Sequence, residues 1–316
     1  MKRRGILLSA LLVIGWIAQT AAVAAEYPTK PLTFTITWKP GGAGDISGRL
    51  SAKAAEAVLG QPIKVINKLG GGGSIGFDYV GQQKPDGYNL GWLSASILTT
   101  TILGKLPYAY DAKFDYVCGV TFDATAIAVR ADSPYKTLNE LIAAMKANPG
   151  KIKIGTGGSG SFTYMFVAAL SEKVGAKATL VPLGKRRIPG LLGGEVDALS
   201  IHPPGLMSAL KSGKVRFLAV GSPKRVDAYK DVPTLTELNL GLGMTQFRGI
   251  FVPKGTPEAV KVAIDKAFAA AENDARLIKT ANERGFGINY IPYKDFPAYV
   301  TAQHDVLQKV AEKIKK

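Results

Sequence analysis

A unit made of a strand, a glycine-rich loop and the start of a helix occurs twice in this chain, and it limits the possible folds more than any other feature. The two copies comprise residues 33–38 (TFTITW), 39–44 (KPGGAG) and 45–59, and residues 151–154 (KIKI), 155–160 (GTGGSG) and a helix that begins at Ser161. Gly60 and Gly175 follow the two helices, as expected for glycine just past a helix end. With alternating short apolar runs and helical periods elsewhere, the pattern predicts an α/β fold.

The two helix starts are predicted anion sites. The first backbone N–H groups of a helix have no partner within the helix and carry the positive end of the peptide dipoles, and glycine lets a ligand approach the backbone closely. Asp45 and Ser161 are candidate N-caps. Because the Asp45 carboxylate would repel an anion directly above it, the ligand is expected to meet the amides of residues 41–44, or to present a cationic or hydroxyl group to Asp45.

The apolar spacing of each helix predicts which face is buried. Residues three or four apart lie on one side of a helix. The predicted inner faces are Ile46, Leu50, Ala54 and Ala57 in the first helix, and Phe162, Phe166, Ala169 and Leu170 in the second.

Residues 1–25 have the pattern of a secretory signal peptide and are set aside from the fold. Lys2, Arg3 and Arg4 form a positive start, an apolar run follows, and small residues lead to a predicted cleavage site after Ala25. The apolar run is short for a membrane span, which needs roughly 20 apolar residues. The pattern predicts export to the periplasm and a mature chain that begins near Glu26.

The length and charge of the mature chain limit its class. About 290 residues remain, which exceeds the size at which one core usually keeps growing, so two lobes are expected. Without the leader, 37 Lys and Arg stand against 24 Asp and Glu, a net charge of +13. No basic helix is interleaved with aromatic residues, so nucleic acid is not an expected partner. The charge favours attraction of a small anion; a lysine-rich solvated surface without a functional field is the alternative.

The catalytic and cofactor motifs that a glycine-rich α/β chain can carry are incomplete here. Gly71, Gly73 and Gly76 satisfy G-x-G-x-x-G, but no strand ending in an acidic residue follows about 20 residues later, as a dinucleotide site requires. Residues 157–161 do not form a nucleophile elbow, because Ser161 stands where the last glycine belongs. No enzyme, cofactor or metal site is predicted.

The single cysteine and the two histidines offer little chemistry. Cys118 has no disulfide partner in the chain and is expected to be a buried small residue. His304 is expected on the surface of a C-terminal helix. His202 follows an apolar strand in SIHPPG, and it either faces the cleft or has a structural role.

Several segments, in this order, resemble the periplasmic solute-binding proteins of tripartite tricarboxylate transporters, the TctC or Bug-type family. They cover essentially the whole mature chain and include YPTKPLTFTITWKPGGAGDISGRL, LGQPIKVINKLGGGGSIGFDYVGQQKPDGYNL, LLGGEVDAL, SGKVRFLAVGSPKR, DVPTLTEL and GIFVPKGTPEAV. The resemblance implies a two-lobed α/β clamshell, the Venus flytrap of periplasmic binding proteins, with a hinge of crossing strands near Thr125 and Gly249. The implied lobes are residues 26–125 with 250–316, and residues 126–249.

The resemblance also implies a function, partners and a site. A monomeric receptor would capture a small carboxylate for the large and small permease subunits of a membrane transporter, without catalysis, cofactor or metal. Members of the family hold a carboxylate at the P-G-G loop and clamp it with the G-S-G-S loop. The implied ligand-binding residues are Trp38, Lys39, Pro40, Gly41, Gly42, Ala43, Asp45, Ser94, Ser96, Thr156, Gly158, Ser159, Gly160, Ser161, Arg187 and His202.

Substrate and partner stay open at this point. Dicarboxylates, citrate-like acids, aromatic acids and amino acids all fit the motifs, and Trp38 and Tyr164 favour an aromatic or long apolar part only slightly. The turn with Lys185, Arg186 and Arg187 either contacts the ligand, since arginine suits a carboxylate, or is a solvated basic turn. Two other functions are compatible: a subunit that senses a ligand for a membrane kinase, and an exported enzyme that uses Asp45 or His202 as a base.

Overall fold

The computed structural model describes residues 27–70, 73–104, 106 and 108–314, so the predicted signal peptide lies outside the described residues. The strands are β1 Leu32–Ile36, β2 Ile63–Asn67, β3 Asn89–Ser94, β4 Phe114–Asp123, β5 Ala126–Arg130, β6 Lys153–Thr156, β7 Thr179–Pro182, β8 Ala198–Ile201, β9 Val215–Val220, β10 Gln246–Pro253 and β11 Gly287–Ile291. The α-helices are α1 Ala43–Leu59, α2 Ser74–Gly81, α3 Ser96–Ile102, α4 Leu138–Ala147, α5 Phe162–Lys173, α6 Arg187–Leu192, α7 Met207–Lys211, α8 Glu258–Ala269, α9 Ala275–Arg284 and α10 Phe296–Ile314. The predicted α/β class is confirmed.

The strands form two sheets, each of which we call a lobe together with its helices. The first lobe has the strand order β11-β4-β10-β3-β1-β2, and the second has β7-β6-β8-β5-β9. In the first sheet β1 pairs in parallel with β2 and β3, and in the second β6 pairs in parallel with β7 and β8. The two glycine loops leave the carboxyl ends of β1 and β6, the edge at which open α/β sheets bind ligands.

The chain crosses between the lobes at two places in its middle. Ala124 and Thr125 join β4 of the first sheet to β5 of the second, and residues 221–245 lead from β9 back to β10. Gly249, one of the two predicted hinge positions, lies inside β10, which pairs with the first sheet from Gln246 onward. One crossing is therefore two residues long and the other is a long connection.

Helix α5 packs as the sequence predicts, whereas α1 does so only in part. All four predicted residues of the α5 face are buried. In α1 the predicted residue Ala54 is buried, Ile46 and Leu50 are half-buried, and Ala57 is exposed. Small residues make up most of the remaining buried face: Gly44, Ser47, Gly48, Ser51, Ala52 and Ala55. A Cβ on Gly48 would lie 2.9 Å from Ile36 Cδ1 and 3.0 Å from a carbon of Trp92. The helix therefore sits close on its sheet, and its contact face has little apolar periodicity to detect.

The last helix, α10, spans both lobes. It packs against α3 and β4 in the first lobe and against α5 in the second. Near its end, Lys313 forms an ion pair with Glu172 of α5. No helix of the described residues is long and apolar enough to cross a bilayer.

Candidate functional site

The carboxyl ends of β1, β3, β6 and β8 face one cleft between the lobes, with a volume of about 700 Å³. Most of the predicted site residues line it: Trp38, Lys39, Gly41, Gly42, Ala43, Ser96, Gly158, Ser159, Gly160, Ser161, Arg187 and His202. Residues from both glycine loops thus meet across the same space. The two lobes touch at its rim, where a side chain on Gly160 would collide with Leu103 of the first lobe.

Four predicted site residues do not line the cleft. Pro40 is exposed, whereas Asp45, Ser94 and Thr156 are buried. The Ser94 hydroxyl accepts a hydrogen bond from Gln246 Nε2 at 3.0 Å, and the Thr156 hydroxyl lies 3.5 Å from the Val181 carbonyl oxygen. The buried side chains of Asp45, Ser94 and Thr156 therefore pack beneath the residues that line the cleft.

The first helix start keeps its amides available. Helix α1 begins at Ala43 with Gly42 as its N-cap and without a capping side chain, so the prediction of Asp45 as N-cap is wrong. No described residue accepts a hydrogen bond from the amides of Ala43 or Gly44. These amides lie at the positive end of a 17-residue helix, which suits an anionic ligand group.

Asp45 holds the first loop in place instead of capping the helix. Its carboxylate accepts hydrogen bonds from the Gly41 amide at 2.9 Å, from Arg49 Nε at 3.0 Å and from Asn67 Nδ2 at 2.8 Å. Asn67 Nδ2 also donates to the Trp38 carbonyl at 2.8 Å. Burial alone would raise the pKa of Asp45, but the hydrogen bonds and the charge of Arg49 lower it below its ordinary value of 3.8. The carboxylate is therefore a fixed anion that ties the loop to β2.

Hydroxyl groups accept part of the hydrogen bonds at the second helix start. Ser161 is the N-cap of α5, as predicted, and its Oγ accepts from the Tyr164 amide at 3.3 Å. The Thr163 hydroxyl accepts from the Gly157 amide at 3.0 Å and lies 3.1 Å from Ser161 Oγ. These local hydrogen bonds fix the loop, and the amides of Phe162 and Thr163 have no acceptor among the described residues.

The sequence prediction missed a buried ion pair at the floor of the cleft. Arg248 of β10 and Asp123 of β4 both line the cleft and are 5% and 2% exposed. Arg248 Nε donates to Asp123 Oδ2 at 3.1 Å, Nη2 donates to the same oxygen, and the guanidinium carbon lies 5.5 Å from the centroid of the Trp38 ring. The signal in the sequence is a single arginine inside the otherwise apolar β10 stretch FRGIFV.

One nitrogen of Arg248 faces the first helix start. Arg248 Nη1 is buried without a hydrogen-bond partner among the described residues. It lies where a Cβ on Gly44 would be only 2.6 Å away. Because a buried donor without a partner is costly, this N–H group beside free helix amides forms a candidate site for a ligand oxygen.

The second lobe contributes Arg187 and His202. Arg187 is half-buried, donates from Nη1 to the Gly184 carbonyl at 3.3 Å, and has a buried Nε without a partner among the described residues. Burial lowers its pKa, although arginine keeps its charge in proteins. Lys185 and Arg186 are exposed and do not line the cleft; Arg186 pairs with Glu195 at 3.2 Å.

His202 lies between the charged groups of both lobes. Its Nδ1 is 3.2 Å from the Ala124 carbonyl, next to the short crossing between the lobes. Burial lowers the pKa of His202 below its ordinary value of 6.5, the charges of Arg248 and Arg187 lower it too, and Asp123 and the carbonyl oppose them. His202 is therefore neutral near pH 7, and the charges of both arginines contribute to its lowered pKa.

The cleft carries a net positive charge. Its lining includes Lys39, Arg187, Arg248 and Arg284, and among the described lining residues the single acid is Asp123. The described residues hold no group of three or more His, Cys, Asp or Glu side chains that could bind a metal ion. Cys118 is buried, as predicted, and Gly71 of the G-x-G-x-x-G match lies outside the described residues. The excess of positive side chains in the cleft lining suits recognition of an anion.

Two α/β sheets joined by crossing segments, with a cleft at the carboxyl ends of their parallel strands, define a two-lobed solute-binding fold. A family model described as "Tripartite tricarboxylate transporter family receptor" matches residues 48–315. The chain belongs to this family, and both the resemblance seen in its motifs and the predicted fold class are confirmed.

Individual relatives agree with this assignment. A Cupriavidus necator protein encoded in the gbd 5′ region is 32% identical over 266 residues, which cover 83% of this chain and 81% of the relative. The crystal structure of a TctC solute-binding protein from Polaromonas, without ligand, is 30% identical, with a TM-score of 0.79 over 91% of this chain and 99% of that chain. MatC from Rhodopseudomonas palustris, solved with bound malate, has the same fold, with a TM-score of 0.72 at 24% identity over 90% of this chain and 100% of that chain.

Proposed function

We propose that this chain is an exported, non-catalytic receptor that captures a small organic carboxylate in the periplasm for a tripartite tricarboxylate-type membrane transporter. One observation carries the proposal: two helix starts and cationic side chains from both lobes converge on a single cleft. Membership in a family of transporter receptors supports the same function.

The proposed ligand contacts come from both loops. In the first lobe they are the free amides of Ala43 and Gly44 with the neighbouring Arg248, and in the second they are the hydroxyl of Ser161 and the guanidinium of Arg187. Hydrogen bonds to a charged group contribute roughly 1.5–3 kcal/mol each. Three or four of them, after the cost of immobilising the ligand, are compatible with micromolar or tighter binding.

Closure around the ligand is part of the proposal. The proposed moving units are residues 26–125 with 250–316, and residues 126–249, which rotate about the two crossings. The closed form, with the ligand shielded from water, is the form that the large and small permease subunits would recognise. The mature chain is proposed to act as a monomer.

Calorimetry on the mature protein, purified without denaturation, tests the proposal. Malate, adipate, citrate, terephthalate and glutamate span the acid classes compatible with the cleft, and native mass spectrometry of the same material reports any ligand carried through purification. The expected result is saturable binding of at least one organic acid, with the acid recovered unchanged after long incubation. Binding of none of them, together with an empty protein by mass spectrometry, would refute the proposal, and conversion of an acid to a product would show an enzyme instead.

A further inference from the structure

We propose that the second lobe binds an anionic phospholipid surface through the edge of its sheet that lies away from the cleft. This basic edge is defined by five exposed lysines: Lys146, Lys151, Lys153, Lys177 and Lys214. The site goes beyond the proposed function and rests on it only for the location of the chain beside a membrane. It holds the receptor at the membrane that carries the transporter, whether or not the cleft is occupied.

The strand order gathers these lysines at one end of the second lobe. β6, β7 and β8 run in one direction with their carboxyl ends on the cleft side, so all three begin at the opposite edge. β5 is antiparallel to both β8 and β9, so β5 ends and β9 begins at that same edge. Because neighbouring strands lie roughly 4.8 Å apart, the five strand ends form a row about 20 Å long.

Backbone contacts place the individual lysines along this row. The Gly150 amide donates to the Lys177 carbonyl at 2.8 Å, which joins the start of β7 to the segment that carries Lys151. The Ala131 amide donates to the Lys214 carbonyl at 3.0 Å at the other end of the row. Helix α4, near whose end Lys146 lies, connects the end of β5 to the start of β6. The five lysines therefore share one edge although they are far apart in the chain.

The lysines of the basic edge have no acidic partner. None of the five forms an ion pair within the described residues, which include the whole second lobe. The acids at this edge have other partners: Asp132 pairs with Arg130 at 2.9 Å, Asp197 accepts from the Lys153 amide at 2.8 Å, and Glu140 completes the capping box of α4. Positive side chains outnumber these acids, so the edge has an excess of positive charge.

The corresponding edge of the first lobe is neutralised by acids. There β3 and β4 begin and β10 ends. Lys113 pairs with Asp78 at 2.8 Å, and Lys254 and Lys261 lie 3.3 and 3.7 Å from the two carboxylate oxygens of Asp115. Lysines occur at the outer edge of both sheets, but those of the second sheet lack the acids that balance the first. The charge of the basic edge is therefore a feature of the second lobe alone.

Ligand capture does not account for the basic edge. None of the five lysines lines the cleft. The four residues of β6 lie between the edge and the cleft, and a strand of that length spans about 13 Å. This distance exceeds the screening length of about 8 Å at physiological ionic strength. The basic edge therefore contributes little to attracting an anion into the cleft.

The chemistry of the edge favours a lipid surface over a protein. The cores of protein interfaces are enriched in aromatic residues and arginine and depleted in lysine, and among the described residues of the second lobe the one exposed large apolar side chain is Leu192. Lysine is a flexible point charge, and clusters of lysines bind anionic headgroups electrostatically. Because the basic edge and the cleft lie at opposite ends of the strands, a receptor bound in this way keeps its cleft accessible.

Cosedimentation of the mature protein with vesicles tests the proposal. The wild-type protein is expected to bind vesicles of phosphatidylcholine mixed with phosphatidylglycerol but not vesicles of phosphatidylcholine alone, and to be released as salt screens the charges. The quadruple variant with Lys151→Gln, Lys153→Gln, Lys177→Gln and Lys214→Gln is expected to bind at least about a hundredfold more weakly, since each lysine near the surface contributes about fivefold.

A second quadruple variant is the matched control, with Lys30→Gln, Lys64→Gln, Lys84→Gln and Lys254→Gln. It removes the same charge from exposed lysines of the first lobe, and it is expected to bind the mixed vesicles within about threefold of the wild-type protein. Unaltered thermal unfolding midpoints show that both variants are folded. Equal loss of binding in the two variants means that net charge alone attracts the protein, which overturns the assignment to the basic edge.

Two further outcomes overturn the lipid site. One is a wild-type protein that does not bind the mixed vesicles. The other is binding to native membranes that protease treatment of those membranes abolishes, without binding to lipid vesicles; the partner is then an acidic protein surface. Neither assay requires a captured acid, so these outcomes leave the proposed function unaffected.

Discussion

The two glycine loops look alike in sequence but differ in chemistry. In the first, the helix has no capping side chain, its leading amides are free, and the nearby acid Asp45 is fully engaged with Gly41, Arg49 and Asn67. In the second, Ser161 accepts from the Tyr164 amide and Thr163 accepts from the Gly157 amide, whereas the first two helix amides have no acceptor among the described residues. A glycine between a strand and a helix therefore does not define an anion site by itself. The first two amides are free at both helix starts, and the loops differ in the Ser161 cap of the second and in the Arg248 guanidinium beside the first.

The largest expected effect comes from placing a fixed anion in the second loop. Ser161→Glu is expected to reduce affinity for the captured acid at least about a hundredfold, because like charges brought together in an interface cost several kcal/mol. Calorimetry measures the affinity, and circular dichroism checks the fold. Ser161→Ala is the control, since it removes the cap at a cost of about 1 kcal/mol in stability without adding charge. Unchanged binding by Ser161→Glu contradicts a clamp at this loop.

The effect of one added methyl group on ligand affinity is expected to differ between the two loops. In Gly44→Ala, the new Cβ would lie 2.6 Å from Arg248 Nη1, so the guanidinium has to move, and an affinity loss of about tenfold is expected. In Gly158→Ala the Cβ meets no heavy atom within 4 Å, and affinity is expected to stay within about twofold. The comparison fails if both variants bind equally well, because Arg248 would then have no role at the first loop.

The smallest expected effect concerns stability rather than binding. Asp45→Asn is expected to lower the free energy of unfolding by about 2 kcal/mol at pH 7, since hydrogen bonds to a charged group weaken or vanish. The folded-state pKa of Asp45 lies below its ordinary value of 3.8. Its contribution is therefore complete above that value and is lost as the pH falls through the folded-state pKa. Urea unfolding of both proteins at several pH values measures the difference.

The exposed acid Asp132 is the matched control for this pH dependence. Its side chain is 74% exposed and pairs with Arg130, and exposed pairs contribute little to stability. Asp132→Asn is expected to leave the unfolding curves nearly superimposable at every pH. A difference between wild type and Asp45→Asn that stays constant as the pH falls would show that the Asp45 charge is not what holds the first loop.

Local features were the predictable part of this molecule. The α5 face with Phe162 and Phe166 follows from large apolar residues at helical spacing, and the Ser161 cap depends on a residue only three positions away. The contact face of α1 was predicted only in part, because glycine, serine and alanine give little apolar signal, although they allow the closest approach to the sheet. The spacing of large apolar residues therefore predicts the buried face of a helix such as α5. It succeeds only in part for a helix such as α1, whose small residues bring it close to its sheet.

The charged part of the site was not predictable from one sequence. Arg248 and Asp123 are 125 residues apart in the chain, and they meet only because β10 and β4 are neighbours in the first sheet. The engagement of Asp45 depends on Asn67, which arrives with the adjacent parallel strand. Spacing rules cannot anticipate such pairs, because they result from strand order rather than from local pattern.

The C-terminal helix α10 lies across both lobes, so the proposed closure would have to move one of its contacts. Because α10 is anchored on the first lobe and lies along α5, any rotation of the second lobe has to shear this seam, where Lys313 meets Glu172. The opposite end of α5 carries the loop that lines the cleft. In the proposed closure the end of α10 therefore moves against α5, and a fluorescent label on the last turn of α10 would report opening and closing away from the cleft itself.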